Sequence, residues 1–190
     1  MSRGFNAVSF TGPSKPSVAR AYWVVESKLL AGAYPGAADP AAHRHRVEQL
    51  WKLGIRTFIN LVEEDETNNY GQPFLRYDGL LRELASAAGD FVTHLRFPIE
   101  DLGVPSADRM RCILDAVDLS LAADRPVFIH CFGGVGRTGI SVCCWLIRRG
   151  HVEPNQAIEM LKTLREADET TCHRPAPENS RQCQFVESWR

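Results

Sequence analysis

The stretch His130-Cys131-Phe132-Gly133-Gly134-Val135-Gly136-Arg137-Thr138-Gly139 combines residue types that can bind an anion and attack it. Glycines at 133, 134 and 136 let the backbone curl so that successive N–H groups point inward. A helix that begins at the end of this loop adds partial positive charge at the same point. The pattern predicts a phosphate-binding loop (P-loop, residues 131–137). The residues expected to bind the phosphoryl oxygens are Phe132, Gly133, Gly134, Val135, Gly136 and Arg137.

Cys131 and Arg137 are the two reactive side chains of this loop. A thiol beside inward N–H groups, a helix amino end and a guanidinium is favoured as the thiolate. The planar fork of Arg137 can hold two oxygens of one phosphoryl group, and we expect the Thr138 hydroxyl to donate a hydrogen bond to the thiolate. Cys143 and Arg149 have the same spacing. They lie in an apolar helix without glycines, on different faces, so the context and not the spacing distinguishes Cys131.

Strands and helices alternate along the chain after residue 40, and this alternation must position the loop. Short apolar runs at Thr57–Val62, Phe91–Phe97 and Val127–His130 are typical of buried strands, and helical patterns lie between them. The fold predicted is α/β, a single domain with a mainly parallel central sheet flanked by helices and the P-loop between a strand and a helix. In such sheets, ligands bind at the carboxyl ends of the strands. Residues 1–20 are rich in Ser, Gly and Pro and are predicted to be a flexible tail.

The composition excludes several classes of protein. The 190 residues include 22 Lys and Arg against 23 Asp and Glu, a net charge of −1. This near-neutrality argues against a nucleic-acid partner and against docking on an anionic membrane. The amino terminus lacks the apolar core of a secretory signal, and the six cysteines lack the spacing of a disulfide scaffold or a CxxC zinc site. We therefore expect a cytoplasmic protein with free thiols, no metal and no cofactor.

The motif His-Cys-x2-Gly-x2-Arg-Thr resembles the signature of cysteine-based protein tyrosine and dual-specificity phosphatases. The resemblance covers residues 21–190 and fits the compact, dual-specificity-like (bacterial-type) subgroup, so that this range is expected to be a catalytic domain. It implies Cys131 as the nucleophile, Arg137 as the clasp for the phosphate, Thr138 as the hydroxyl residue that follows it, and His130 as a brace for the loop. The implied reaction is metal-independent hydrolysis of a phosphorylated protein or peptide through a phosphocysteine.

A second loop, residues 97–105, lies where the family has its general acid. Asp101, followed by Leu-Gly-Val-Pro, resembles that acid, and Glu100 is the rival carboxylate. Near the carboxyl terminus, Gln182 resembles a glutamine that positions the hydrolytic water in related enzymes. We favour Gln182 over Gln184, with an ordinary surface role open for both.

Two other functions remain open at this point. One is a phosphatase of phosphoinositides or other small phosphomonoesters, and the other is an inactive module that binds phosphoproteins. We interpret the acidic stretch 63–66 as a solvated loop. Small core residues are expected at Cys112, Cys143 and Cys144, and exposed positions on an early helix are expected at His43 and His45.

Overall fold

Five strands form one sheet in the computed structural model, which describes residues 14–68 and 70–190. The strands are β1 (Ala21–Val25), β2 (Leu29–Gly32), β3 (Thr57–Asn60), β4 (Thr93–Arg96) and β5 (Val127–His130). Their order is β1-β2-β5-β3-β4, with β1 and β2 antiparallel and the other neighbouring pairs parallel. The predicted α/β fold with a mainly parallel sheet is confirmed.

The helices are α1 (Pro40–Lys52), α2 (Asp78–Ala87), α3 (Ala107–Ala122), α4 (Gly136–Arg148), α5 (Ala157–Arg165) and α6 (Ser180–Ser188), and a 3-10 turn (Pro154–Gln156) leads into α5. Side-chain caps fix three of the starts: Asp39 accepts the N–H of Ala42 at 2.7 Å, Ser106 accepts the N–H of Arg109 at 3.1 Å, and Asn179 accepts the N–H of Gln182 at 3.0 Å. No helix in the described part of the chain is long and apolar enough to cross a bilayer.

The sheet is buried on both faces because its central strands carry apolar side chains in alternate directions. Phe58 and Phe128 pack with residues of α1 and α2, whereas Ile59 and Ile129 pack with residues of α3 to α6. The two faces therefore have separate hydrophobic clusters, and both clusters hold the central strands rigidly in place.

The register of the central strands brings three loops together. Asn60 at the end of β3 pairs with His130 at the end of β5 and with Arg96 at the end of β4. Because these strands are parallel, the segments that follow them leave from one edge of the sheet. Those segments carry Glu66, Asp101 and Cys131.

β3 ends two residues earlier than predicted, at Asn60 instead of Val62. The Asn60 side-chain oxygen accepts the N–H of Val62 at 2.9 Å, a local hydrogen bond that turns the chain away from the sheet. This turn starts the segment that leads to Glu66.

The predicted tail, residues 1–20, falls mostly on residues 1–13, which lie outside the described residues. Within the described remainder, Val18 is buried in the α1–α2 cluster and Lys15 pairs with Glu169 at 2.7 Å. The boundary at residue 21 stays a prediction, although residues 14–20 contact the folded domain.

Candidate active site

Cys131 follows β5 directly, and its side chain is buried at the base of the P-loop. The N–H of Gly134 donates to its Sγ at 3.3 Å. α4 begins at Gly136, and no described side chain caps its amino end, so its first N–H groups remain directed at the loop. The sulfur therefore lies on the floor of a site built from N–H donors.

Close packing requires glycine at two positions of the P-loop. Gly134 has a φ of +73°, and a Cβ there would lie 2.6 Å from backbone atoms of both Gly32 and Ala33. A Cβ at Gly136 would lie 2.9 Å from the amide oxygen of Gln182. The loop is thus wedged between the end of β2 and the first turn of α6.

Thr138 has a different role from the one we expected. Its hydroxyl oxygen accepts the N–H of Cys131 at 2.9 Å, and its proton is directed at the carbonyl of Gly32, 3.3 Å away. The expected donation to the thiolate is therefore wrong in this structure, because the hydroxyl proton already serves the backbone of β2. Thr138 positions Cys131 by tying α4, the P-loop and β2 together.

Arg137 is nearly fully buried and is surrounded by acceptors. Its two terminal nitrogens donate to the Glu66 carboxylate at 2.6 and 2.8 Å, and Nη1 also donates to the carbonyl of Ile99 at 3.1 Å. Asp101 Oδ1 lies 2.9 Å from Nη2. Burial alone would lower the pKa of Arg137, but hydrogen bonding to Glu66 and the nearby negative charges raise it. A permanently charged fork is therefore held at the P-loop.

Glu66 was missed at the sequence level, where the stretch 63–66 was interpreted as solvated. Glu63, Glu64 and Asp65 are indeed exposed, but Glu66 turns inward to Arg137. Four consecutive acidic residues look alike in the sequence, and the contact spans 71 positions. The only available signal was that the stretch follows a parallel strand at the edge where sites form.

The structure brings Asp101 to Arg137 and leaves Glu100 exposed to solvent. Hydrogen bonds from α6 hold the loop that carries Asp101. Asn179 Nδ2 donates to the carbonyl of Leu102 at 2.9 Å, and Gln182 Nε2 donates to the carbonyl of Gly103 at 3.1 Å.

Gln182 is fully buried, and its amide oxygen accepts the N–H of Glu178 at 2.9 Å. Both ends of its amide are therefore used to position backbone. The role in water positioning that we expected for Gln182 stays a prediction, and Gln184 is exposed on the same helix.

Beside the P-loop lies an open cavity of about 950 Å³ with an aromatic wall. Phe132 packs on Phe74 at 4.9 Å between ring centroids, and Tyr34 packs on Phe74 at 4.8 Å. Arg20 also lines this cavity. The side chain of Val135 is fully buried, so this residue can reach a bound group only through its backbone.

A chain of hydrogen bonds braces the loop from behind. His130 Nδ1 lies 3.3 Å from the carbonyl of Cys131, Tyr77 Oη lies 2.5 Å from His130 Nε2, and His94 Nε2 lies 3.1 Å from Tyr77 Oη. The carbonyl can only accept, so Nδ1 carries the His130 proton and Nε2 accepts from Tyr77. Burial lowers the pKa of His130 to about 3, which keeps the ring neutral.

Two other sequence-based expectations were wrong. His43 is buried, not exposed, because it lies one turn before Val47 on the inner face of α1. Cys112 is exposed, not in the core, since the inner face of α3 is formed by Met110, Ile113, Leu114 and Val117. Cys143 and Cys144 are buried as expected, and burial raises the pKa of both thiols. Among the described residues, no three His, Cys, Asp or Glu side chains are grouped so as to hold a metal ion.

Comparison with known families identifies the domain. A family model described as "Polymorphic toxin system, DSP-PTPase phosphatase" matches residues 33–151, more than half of the chain. The chain belongs to this DSP-PTPase phosphatase family. The predicted membership of the cysteine-based tyrosine phosphatase superfamily is therefore confirmed.

Relatives of this DSP-PTPase domain include the mouse protein tyrosine phosphatase domain-containing protein 1. The two are 31% identical over 147 residues, which cover 75% of this chain but only 19% of the mouse protein. Solved structures with the same fold include PTPMT1 in complex with PI(5)P (TM-score 0.64, 20% identity, 88% of this chain and 92% of that one). A complex of P. aeruginosa TpbA, with cysteine replaced by serine, with pTyr has a TM-score of 0.61 at 17% identity and covers 96% of this chain and 93% of that one.

We predict that Glu66→Gln lowers kcat/KM on an aryl phosphate by about 10- to 100-fold, because a charge-assisted hydrogen bond contributes roughly 1.5–3 kcal/mol. The amide keeps the size of the side chain but directs donors at a cation. Steady-state kinetics checks this result. Glu64→Gln, in the same loop but exposed, is the matched control and should stay within about twofold of the wild type. Equal effects of the two substitutions would contradict the positioning role of Glu66.

We also predict that His130 makes stability depend on pH. Its pKa is about 3 in the folded state against 6.5 ordinarily, so between these values the unfolded chain binds more protons. The contribution of His130 to the free energy of unfolding is therefore fully present above about pH 6.5 and decreases as the pH falls toward 3. Between pH 7 and 5 the loss is roughly 2 kcal/mol.

Urea unfolding at the two pH values measures this loss. His130→Gln should lose less stability than the wild type over that interval, whereas His45→Gln, exposed on α1, should behave like the wild type. Equal losses in all three proteins would show that the ring of His130 does not resist protonation.

Proposed function

We propose that this DSP-PTPase domain is a protein phosphatase that hydrolyses phosphotyrosine, and that phosphoserine and phosphothreonine can undergo the same chemistry. The observation that carries the proposal is the meeting of Asp101 with Arg137, at 2.9 Å, over the loop that holds Cys131. A nucleophile, an anion clasp and a carboxyl group that can carry a proton once a phosphate has replaced it at Arg137 thus lie around one site. No metal or cofactor is needed for any step below.

In the first step, the Cys131 thiolate attacks phosphorus and the bond from phosphorus to the leaving oxygen breaks. The P-loop N–H groups and the guanidinium of Arg137 stabilise the equatorial oxygens, since they are oriented before the charge develops. Asp101, protonated, gives its proton to the leaving oxygen. The products are the dephosphorylated alcohol or phenol and a phosphocysteine.

In the second step, the Asp101 carboxylate takes a proton from water, and the resulting nucleophile attacks the phosphocysteine. The bond between phosphorus and sulfur breaks, the thiolate of Cys131 re-forms, and inorganic phosphate leaves. Asp101 ends the cycle protonated, as it began.

The cavity beside the P-loop supports phosphotyrosine as the substrate. Its wall of Tyr34, Phe74 and Phe132 suits a flat ring attached to the phosphate. The P-loop itself carries no cation before Arg137, and the segment 63–66 that reaches it is acidic. A substrate with several phosphates would be repelled by the negative charge of this segment.

A second candidate function is the hydrolysis of phosphoinositides or other small polyphosphorylated esters. It is favoured by two arginines next to the P-loop, Arg20 and Arg174, both of which approach Gly133. A module that binds phosphoproteins without turnover is the alternative of another class. The presence of all three reactive groups favours an enzyme.

We further propose that the domain works in the cytoplasm. All six cysteines are free, including the exposed Cys112 and the half-buried Cys172 and Cys183. Free thiols persist in a reducing compartment.

Cys131→Ser should lower turnover of an aryl phosphate by at least about a thousandfold, because serine is a far weaker nucleophile at neutral pH. The fold and the binding of inorganic phosphate should survive. Cys143→Ser is the matched control, since Cys143 is buried in α4 and should leave activity within about twofold. Substantial metal-independent turnover by Cys131→Ser would exclude the phosphocysteine mechanism.

Asp101→Asn should slow substrates with poor leaving groups, such as alkyl phosphates, by about 100-fold or more, while activated aryl phosphates lose less than about tenfold. The reason is that an activated leaving group departs with little protonation. Comparing kcat for both substrate types measures the difference. Glu100→Gln is the matched control and should slow neither. If Asp101→Asn slows both types equally, Asp101 is not the proton donor.

On the substrate itself, we predict a kcat/KM at least about tenfold higher for phosphotyrosyl peptides than for any inositol polyphosphate or phosphoinositide. The aromatic wall favours the phenyl ring of phosphotyrosine, and the acidic segment 63–66 disfavours a substrate with several phosphates. Both substrate classes are measured at one ionic strength. A preference for the polyphosphorylated class would replace the peptide proposal with the second candidate.

A further inference from the structure

Two arginines from distant parts of the chain lie against one residue of the P-loop, Gly133. Arg20 directly precedes β1, and its Nη2 is 3.5 Å from the carbonyl oxygen of Gly133. Arg174 lies between α5 and α6, and its Nη1 is 3.6 Å from the place that a Cβ on Gly133 would occupy. Neither side chain belongs to the set that clasps the scissile phosphate.

Arg174 is held in place by a second, fully buried arginine. Arg165 donates to the carbonyls of Thr171 and Arg174, which fixes the backbone of the loop that carries Arg174. The Nη2 of Arg174 pairs with Glu178 at 2.6 Å. This pairing leaves Nη1 on the side of Gly133, where an approaching anion could reach it.

Arg20 carries positive charge that its surroundings compensate only in part. Its buried Nε has no hydrogen-bond partner among the described residues. The nearby carboxylate of Asp168 offsets part of this charge and raises the pKa of Arg20. Burial lowers the pKa of Arg20, and the like charges of Arg46 and Arg174 lower it further. An anion placed here would relieve this repulsion.

The position of Arg20 places its charge near the part of the substrate that carries the phosphate. Arg20 lines the same cavity as Tyr34, Phe74 and Phe132. A ring in that cavity, attached to a phosphate on the P-loop, would have its neighbouring groups next to Arg20, and Arg174 approaches the same residue of the P-loop, Gly133. A substrate with one additional negative group near Arg20 would be attracted to the site. A substrate with several phosphates would also place negative charge beside the acidic segment 63–66 and be repelled there.

We propose that Arg20 and Arg174 form a second anion site, which binds an acidic group adjacent to the phosphotyrosine of a peptide substrate. This proposal rests on the proposed function and narrows it to acidic phosphotyrosyl peptides. The matching ligand chemistry is a carboxylate or a second phosphate, because guanidinium groups bind both.

Three peptides test the proposal, identical except for the residues that flank phosphotyrosine: alanine on both sides, glutamate before it, or glutamate after it. The measured quantity is the ratio of kcat/KM for each glutamate peptide to that for the alanine peptide, at one ionic strength. Because both values come from the same protein preparation, a partly unfolded variant does not change the ratio. For the wild type, we expect a ratio of about ten for the better glutamate peptide.

Arg174→Gln and Arg20→Gln should each lower that ratio by about threefold, and the double variant should bring it close to one. Arg20→Lys, which keeps the charge in the partly buried position, should retain most of the preference. Lys52→Gln controls for net charge. Lys52 ends α1, just before β3 begins, and therefore lies at the edge of the sheet away from the P-loop. This variant should keep the wild-type ratio.

The outcomes separate this proposal from the function on which it rests. Efficient turnover of all three peptides by the wild type, without preference, would overturn the second site and leave the phosphotyrosine phosphatase standing. A preference that survives the double variant, or that Lys52→Gln also removes, would overturn it as well. Turnover of aryl phosphate but of no peptide would overturn both proposals together.

Discussion

A guanidinium that is only 2% exposed has to be surrounded by acceptors and negative charge, and that need links the separate loops of this domain. Arg137 leaves the P-loop after β5, Glu66 comes from the segment after β3, and Asp101 comes from the loop after β4. Parallel pairing brings these three strand ends to one edge. A buried cation can then be held there because two carboxylates arrive from neighbouring strands. Removing the two carboxylates would leave Arg137 with the carbonyl of Ile99 as its remaining acceptor among the described residues and with no negative charge beside it from Glu66 or Asp101.

The parts of the site that were predicted from the sequence are those whose residues lie close together along the chain. The P-loop is one such part: its glycines, Cys131 and Arg137 lie within seven positions, and its strand and helix adjoin it. The alternation of apolar runs similarly predicted the sheet. Glu66 and Arg20 could not be found in this way, because each contacts a loop more than 70 positions away. Glu66 also resembles the exposed acidic residues before it, and Arg20 falls in the segment predicted to be a tail. For Thr138, the expected hydrogen-bond partner was wrong, since the acceptor Gly32 belongs to another strand.

Different interactions hold the two loops of the site. The P-loop is fixed from within the domain: Thr138 ties the backbone of Cys131 to β2, and the buried chain from His94 through Tyr77 to His130 ends on the Cys131 carbonyl. These groups are neutral, so the loop gains rigidity without a buried charge that would compete with a phosphate. The Asp101 loop is instead held by two hydrogen bonds from the start of α6 and by the contacts of Ile99 and Asp101 with Arg137. It contains Leu102 with a φ of +58°, a conformation that a non-glycine residue adopts at a cost of about 1 kcal/mol.

A firmly fixed P-loop and a less constrained Asp101 loop are suited to an exchange of ligands at Arg137, in which a phosphate would replace the Asp101 carboxylate. In this structure, Asp101 supplies negative charge to Arg137 from a side chain that is 59% exposed. A bound phosphoryl group brings its own negative charge to the same nitrogen, so the carboxylate can be displaced without leaving the guanidinium unpaired, because Glu66 still holds both terminal nitrogens. Asn179 and Gln182 keep the displaced loop within reach by its backbone and leave its carboxyl group free to turn. The buried amide of Gln182 is therefore explained by the loop that it holds: together with Asn179 it fixes the backbone next to Asp101, and this would restrict where the carboxyl group could move if a phosphate took its place.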